Sequence, residues 1–432
     1  MPHSLPICSR SVFVMSIVAA ACAAPSDVML GEALAVSRST SVGTAPMFAV
    51  SPNGRQALAW VSAPDGGTDG RVYLAVGDAA PVELRDTLGP IEPHGESPPK
   101  IAFAGDGALH VLYVVSRQVP GRRFPAGALR MQHSTDGGAT WRGPVTVTDD
   151  STFGSHNFHA LHVSGDGVVY VSWLDGRHGA SAVYLTRSTD GGRTFEPNRR
   201  VSVGEACPCC RTALASGPDG ALYLAWRTVM PGNVRDVVVA RSSDGGHTWS
   251  EAHRVHADDW VFDACPHAGP ALAVDSSGAL HVSWWTGKAG TAGVYYAHST
   301  DRGETFSKPV PLGIARQSRP AHVQLAVRPD GRRIAAVWDD GTLPVSRIVM
   351  RVSNDGGRTF GRAVPVSADD RAAGFPVLGL VADSVIVAWS EQSVESARHA
   401  DTSKPNMRDP SSIMPLHAVG AAHVMVRRGA LR

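Results

Sequence analysis

The sequence predicts an all-β chain folded as a seven-bladed β-propeller. Three observations predict it: one octapeptide recurs five times, seven aromatic anchors follow at similar intervals, and alternating hydrophobic segments are separated by Gly- and Asp-rich turns. The 432 residues are 43% hydrophobic and 18% charged, a balance that lets a globular chain bury a core. The repeats assign residues 30–432 to one domain. A formal charge of +1 gives no global field for nucleic acid or an anionic membrane, so neither is an expected partner.

The N-terminus carries Arg10, an apolar run from Ser11 to Ala21 and small residues around Cys22. The run is too short to span a bilayer and has the layout of a secretory signal over residues 1–23. Ala19-Ala20-Ala21-Cys22 also has the outline of a weak lipobox, so lipid anchoring at Cys22 is the alternative to free secretion. Either route predicts an extracytoplasmic protein, periplasmic, secreted or lipid-anchored. No later segment is long and apolar enough to predict a membrane helix.

The octapeptides are Ser134–Trp141, Ser188–Phe195, Ser242–Trp249, Ser299–Phe306 and Ser353–Phe360, with the pattern S-x-D-x-G-x-T-[WF]. Their aspartates, Asp136, Asp190, Asp244, Asp301 and Asp355, stand 54, 54, 57 and 54 residues apart. Asp and Ser/Thr side chains bond nearby backbone amides, Gly supplies a positive φ, and the aromatic anchors the hairpin. The box is therefore expected to be a folding device. The pattern resembles the Asp box, or BNR repeat, of the sialidase superfamily, whose boxes lie opposite the ligand face.

The anchors are Trp60, Tyr113, Trp173, Trp226, Trp284, Trp338 and Trp389. Each ends an alternating strand, and seven anchors predict seven blades, whereas the sialidase resemblance implies six. The last blade has two strands around Trp389, a polar insertion from Glu391 to about Leu416, and a strand near His423–Val426. Glu32–Arg38 resembles an outer strand and is expected to complete that blade, closing the ring.

Loops leading into the innermost strands share one face with the loops between second and third strands, where a ligand is expected. Counting back 17 residues from the anchors of the second to fifth blades gives Glu96, His156, Cys209 and His267. Counting back 19 gives His94, Gly154, Cys207 and Cys265. Glu96, His156, Cys209 and His267, aided by Cys207, Cys210 and Cys265, are thus expected to form a transition-metal or thiol-redox centre, with copper or zinc as the metal. The competing reading is a structural disulfide cluster, with Cys207–Cys265 the natural pair in an oxidising compartment. His159, Arg319 and His322 fall nearby.

The second-to-third strand loops add Asp175, Arg177, His178, Arg227, Arg235, Trp285, Lys288, Asp339 and Asp340. As a channel rim they would suit a small-molecule, anionic or glycan ligand, with Trp285 as a stacking platform. The resemblance implies a second reading, an exo-α-sialidase-type glycoside hydrolase. It would use Arg211, Arg319 and one of Arg177 or Arg227 as carboxylate clamps, and Asp175 or Asp339 as the acid. This sequence departs from that family's pattern. The F/Y-R-I-P motif is absent, with only R-R-F-P at Arg122–Pro125, and the last tyrosines, Tyr295 and Tyr296, read as structural.

Overall fold

The computed structural model describes residues 28–37, 41–64, 69–91, 93–122, 125–315, 319–342, 345–394 and 422–432. The expected signal segment, Cys22 and most of the polar insertion lie outside the described residues.

Seven antiparallel sheets follow one another along the chain as the blades of a propeller. In the second blade, Lys100–Phe103 is innermost, followed by Leu109–Arg117, Ala126–Ser134 and Arg142–Thr146. The sixth repeats the order with Gln324–Val327, Ile334–Asp340, Arg347–Ser353 and Val364–Pro365. All seven anchors lie in second strands and are buried, because a large ring there fills the gap to the neighbouring blade. Seven of the clusters that form the core each join residues of adjacent sheets, as where Val61 and Leu74 of the first blade meet Val111 and Tyr113 of the second. The seven-blade count holds and the six-blade alternative does not.

The last blade closes as expected, with corrected bounds. Its strand order is Arg371–Val381, Ser384–Ser393, Ala422–Leu431 and, from the N-terminal end, Val28–Ala35. Val28 pairs with Leu431 and Ala35 with Met425. The closing strand begins four residues before the expected Glu32 and ends at Ala35, because pairing continues to Leu431 at the far end of its partner.

Each Asp box is the turn between the third and outer strands. In the first box, Ser134 Oγ donates to Asp136 Oδ1 (2.7 Å) and accepts from Gly138 N (2.8 Å), while Asp136 accepts from Thr140 N (2.8 Å) and Oγ1 (2.5 Å). The same bonds recur in the other four. These bonds hold the five carboxylates well below the usual aspartate range against the opposing effect of burial, which is strongest at 190 and 355. Strand alternation puts the boxes at the end of each blade opposite the lead-in loops.

Candidate functional site

Five of the lead-in loops, with the second-strand ends beside them, build three side-chain clusters on the face opposite the boxes. The first lies where lead-in loops meet across the axis. Glu96, from the second blade, pairs with His322 Nε2 of the sixth at 2.6 Å. His322 Nδ1 donates to Asp339 Oδ2 and its backbone N–H to Asp339 Oδ1, both at 2.5 Å. Arg211, from the fourth blade, approaches Glu96 at 3.9 Å and donates to Val323 O at 3.4 Å. Phe375 of the seventh blade packs on His322, ring centroids 4.3 Å apart, and against Gly95, where an added Cβ would fall 2.2 Å from the Phe375 ring. Residues of the second, fourth, sixth and seventh blades meet in this cluster.

All these charges are buried. Burial disfavours ionised Glu96, but His322, Arg211 and His267 outweigh it and hold the carboxyl at about 2. Burial likewise opposes a charged His322, yet Asp339 and Glu96 raise it to about 10, so it is an imidazolium between two carboxylates.

Lys100 borders this network on the innermost strand. Ladder register places Met47, Lys100, Ala160, Ala213, Ala271, Gln324 and Val377 opposite the residue before each anchor. Lys100 is the one charged residue of the seven. Burial first, and Arg211 second, depress its amine to about 7. The unfolded chain therefore binds more protons than the folded one between about 7 and 10.5, so this group costs stability below about pH 7, a cost relieved towards 10.5. Lys100→Met is expected to stabilise the protein by about 1–3 kcal/mol on the acid side of that window and to lose the advantage on the alkaline side, as read from urea midpoints.

The second cluster is sulfur. The fourth blade's innermost edge is split: Glu205–Ala206 pairs with Thr228–Val229, pairing lapses, and Ala213–Ser216 resumes it. Residues 207–212 form the excursion between. Cys207 Sγ lies 3.3 Å from Cys210 Sγ and 3.8 Å from Cys209 Sγ, beyond the ~2.05 Å of a disulfide bond. Cys207, Cys209 and Cys210 are buried, and the partly exposed Cys265 packs against them. Arg235 Nη1 donates to Cys207 Sγ at 3.1 Å. Burial pushes the Cys207 thiol up, but bonds from Cys209 and Cys210 and the charges of Arg235 and Arg227 bring it well below the usual thiol range. Burial and the neighbouring Cys207 raise Cys209 and Cys210 well above it.

The third cluster belongs to the third blade. His156 Nδ1 bonds Gly127 O at 3.1 Å, and Nε2 lies 3.1 Å from Asp150 and 3.7 Å from Asp175. Arg177 bridges Asp175 (2.8 Å), Asp149 (3.0 Å) and Asp150 (3.3 Å).

The aligned column Glu96, His156, Cys209 and His267 is thus divided among separate surroundings. Among the described residues, ligand atoms lying mutually within 4.8 Å occur as Cys207–Cys209–Cys210 and as Asp150–His156–Asp175, and neither group contains Glu96 or His267. Counting missed the bulge between Asn157 and Ala160, which re-aims the third blade's lead-in. Phe158 (φ 58°) and His267 (φ 51°) take left-handed backbone, with the Phe158 ring facing His94 at 5.9 Å and His267 at 6.3 Å. His267 Nδ1 lies 3.2 Å from Cys265 O.

Several rim residues are structural. Arg227 is buried and donates to Ala268 O (3.0 Å), Arg235 O (2.7 Å) and Trp285 O (2.6 Å), leaving no fork for a carboxylate. Arg177 is committed to its aspartates, and Asp175 also accepts from Trp173 Nε1 (2.8 Å). Trp285 is buried edge-on against Trp260, ring centroids 5.1 Å apart, so it offers no stacking face. Lys288 Nζ donates to Asp258 O at 2.5 Å. Arg319 is exposed, its N–H directed to Gly341 O (3.4 Å), and Asp340 caps Thr342 N (3.0 Å). All seven tyrosines lie on second or third strands, and Tyr296 bonds His281 at 2.7 Å and packs under Gly357 of an Asp box. Lys100 is the polar residue that sequence reasoning did not name, while His322 was placed only near the expected centre and not in it. A lysine in a column of otherwise uncharged residues was the available signal.

Comparison with known proteins agrees with this architecture. The BNR repeat-like domain family matches residues 94–257, 128–364 and 208–410. A sialidase of Micromonospora viridifaciens is 28% identical over 264 residues, which is 52% of this chain and 38% of that protein. Among solved structures, a protein of unknown function from Dyadobacter fermentans superposes with a TM-score of 0.54 at 18% identity, covering 94% of this chain and 100% of that one. The polysaccharide lyase Uly1 superposes with a TM-score of 0.55 at 13% identity, covering 91% of each. At these identities the superpositions speak for the fold alone. No helix among the described residues is long and apolar enough to cross a membrane. With the Asp boxes, the seven blades and the family match in agreement, the chain belongs to the BNR repeat-like family of sialidase-like β-propellers.

Proposed function

We propose that this is an exported propeller that binds a soft transition-metal ion, Cu(I) or Zn(II), on Cys207, Cys209 and Cys210 at the mouth of its channel. The observation that carries this reading is the three-sulfur cluster. Thiolates bound ~2.3 Å from a tetrahedral zinc lie about 3.8 Å apart, and Cys207 stands 3.8 Å from Cys209 and 3.3 Å from Cys210. Arg235 and Arg227 supply positive charge to the first thiolate, and metal binding would displace the protons of the other two. Cys265 packs against this group, though its sulfur lies outside the set of ligand atoms that come within 4.8 Å of one another. Soft sulfur donors select Cu(I) and Zn over Mg or Ca.

Untagged protein, loaded with Zn(II) or Cu(I) and desalted, is expected to retain one equivalent by elemental analysis. Cys209→Ser should weaken retention at least tenfold, read by competition with a chromophoric chelator. Equal metal content in wild type and variant would overturn the reading.

A second reading, glycan hydrolysis, is favoured by the similarity to a sialidase and by Arg211, whose guanidinium stands beside Glu96. Hydrolysis of a fluorogenic sialoside that disappears in Arg211→Ala, in protein free of metal, would promote it over the metal reading.

A further inference from the structure

We infer that the four cysteines form a thiol–disulfide relay that carries oxidising equivalents inward from Cys265 to a Cys207–Cys210 pair. The inference rests on the same cysteine cluster as the metal reading, and it is tested on metal-free protein so that either can fail alone.

Three features carry it. Exposure is graded along the sulfurs: Cys265 is partly exposed, while Cys209, Cys210 and Cys207 are buried, at 4%, 1% and 0%. Contact is continuous, since Cys265 packs against the buried cysteines, and Cys207 Sγ lies 3.8 Å from Cys209 Sγ and 3.3 Å from Cys210 Sγ. The terminal pair has C-x-x-C spacing, Cys207-Pro208-Cys209-Cys210, the spacing that redox dithiols use. Arg235 Nη1 donates to Cys207 Sγ, so the thiolate that carries the disulfide from Cys209 into the terminal pair has a cation beside it. A site built only to hold one metal has no need of such a path to the surface.

The oxidant is a small disulfide, RSSR. Cys265 thiolate attacks it, forming Cys265–S–SR and releasing RS⁻. Cys209 thiolate then attacks the Cys265 sulfur, forming Cys209–Cys265 and releasing the second RS⁻. Cys207 thiolate attacks the Cys209 sulfur, forming Cys207–Cys209 and freeing Cys265. Cys210 thiolate attacks the Cys207 sulfur, forming Cys207–Cys210 and freeing Cys209. Two thiols have lost two electrons and two protons, and RSSR has become two RSH. Each inward step joins sulfurs that are already neighbours. The product ties up two of the three proposed metal ligands, so oxidation and metal binding exclude each other.

The test treats chelator-stripped full-length protein with oxidised glutathione, quenches free thiols with an alkylating agent at intervals, and maps disulfides by peptide mass spectrometry. Wild type is expected to accumulate Cys207–Cys210. Cys265→Ser should form it at least tenfold more slowly, with circular dichroism unchanged. Cys209→Ser should trap glutathione on Cys265, and Cys210→Ser should stop at Cys207–Cys209. Wild-type kinetics in Cys265→Ser, or a stable Cys207–Cys265 bond in place of Cys207–Cys210, would overturn the relay. Metal retention with no exchange would spare the metal reading, and exchange with no metal retention would spare the relay.

Discussion

Deleting the chain up to residue 36 is expected to leave a protein that no longer unfolds cooperatively as a monomer. The removed strand, Val28–Ala35, supplies the outer edge of the last blade and pairs along Ala422–Leu431 from Leu431 to Met425. Val28 and Leu431 also pack into the cluster containing Val387 and Trp389. Without it, one long strand shows a row of unpaired N–H and C=O groups, a template for association with another chain. The last blade would then hold its remaining three strands against a missing neighbour. Size-exclusion chromatography should show oligomers and thermal unfolding should lose its sharp transition, whereas a synthetic peptide covering the deleted strand should restore the monomer. A monomeric truncated protein with an unchanged melting temperature would show that the closing strand is dispensable.

His322→Ala is expected to cost about 3–5 kcal/mol, the range for breaking a buried ion pair from one side. The substitution removes the one cation between Glu96 and Asp339 and leaves two buried carboxylates facing each other across the axis. Adding Glu96→Gln should recover much of the loss, because it is the orphaned charge that is costly. The pH dependence has a defined sign. His322 is raised from 6.5 to about 10, so its contribution is complete below pH 6.5 and is lost as pH rises through 10. Glu96 is lowered from 4.5 to about 2, so its contribution is complete above pH 4.5 and is lost as pH falls through 2. The penalty of His322→Ala should therefore be greatest between about pH 4.5 and 6.5, as measured by urea unfolding. A penalty under about 1 kcal/mol, independent of pH, would mean that the network carries no structural charge.

The blades were legible because their signals are local. An Asp box is closed by bonds that span four residues, as from Gly138 N to Ser134 Oγ, so the octapeptide carries its whole physical cause. An anchor such as Trp284 is buried by the alternation of its own strand. Ring closure was legible too, because a last blade lacking a strand and an unassigned strand before the first blade complete each other. The cysteine loops were found by the same counting, and Cys207, Cys209 and Cys210 do share one cluster.

The division of the aligned column was not legible. Glu96 and His156 occupy equivalent places in sequence, yet Glu96 reaches His322 in the sixth blade while His156 turns to Gly127 and Asp150. A bulge changes where a side chain points without changing how many residues precede the anchor. The Arg227 candidacy failed for a related reason, since its acceptors are carbonyls of residues 235, 268 and 285, and carbonyls leave no trace in side-chain identity.

Fold class, blade number, ring closure and the gathering of cysteines in one pair of loops were all readable from residue order, because repeats, alternation and turn chemistry act within a few residues. Tertiary structure alone decided which charged side chains meet. Closing a ring of seven blades brings residues 96, 211, 322 and 339 to one axis, and a buried imidazolium between two carboxylates exists only after that closure has removed water from around it.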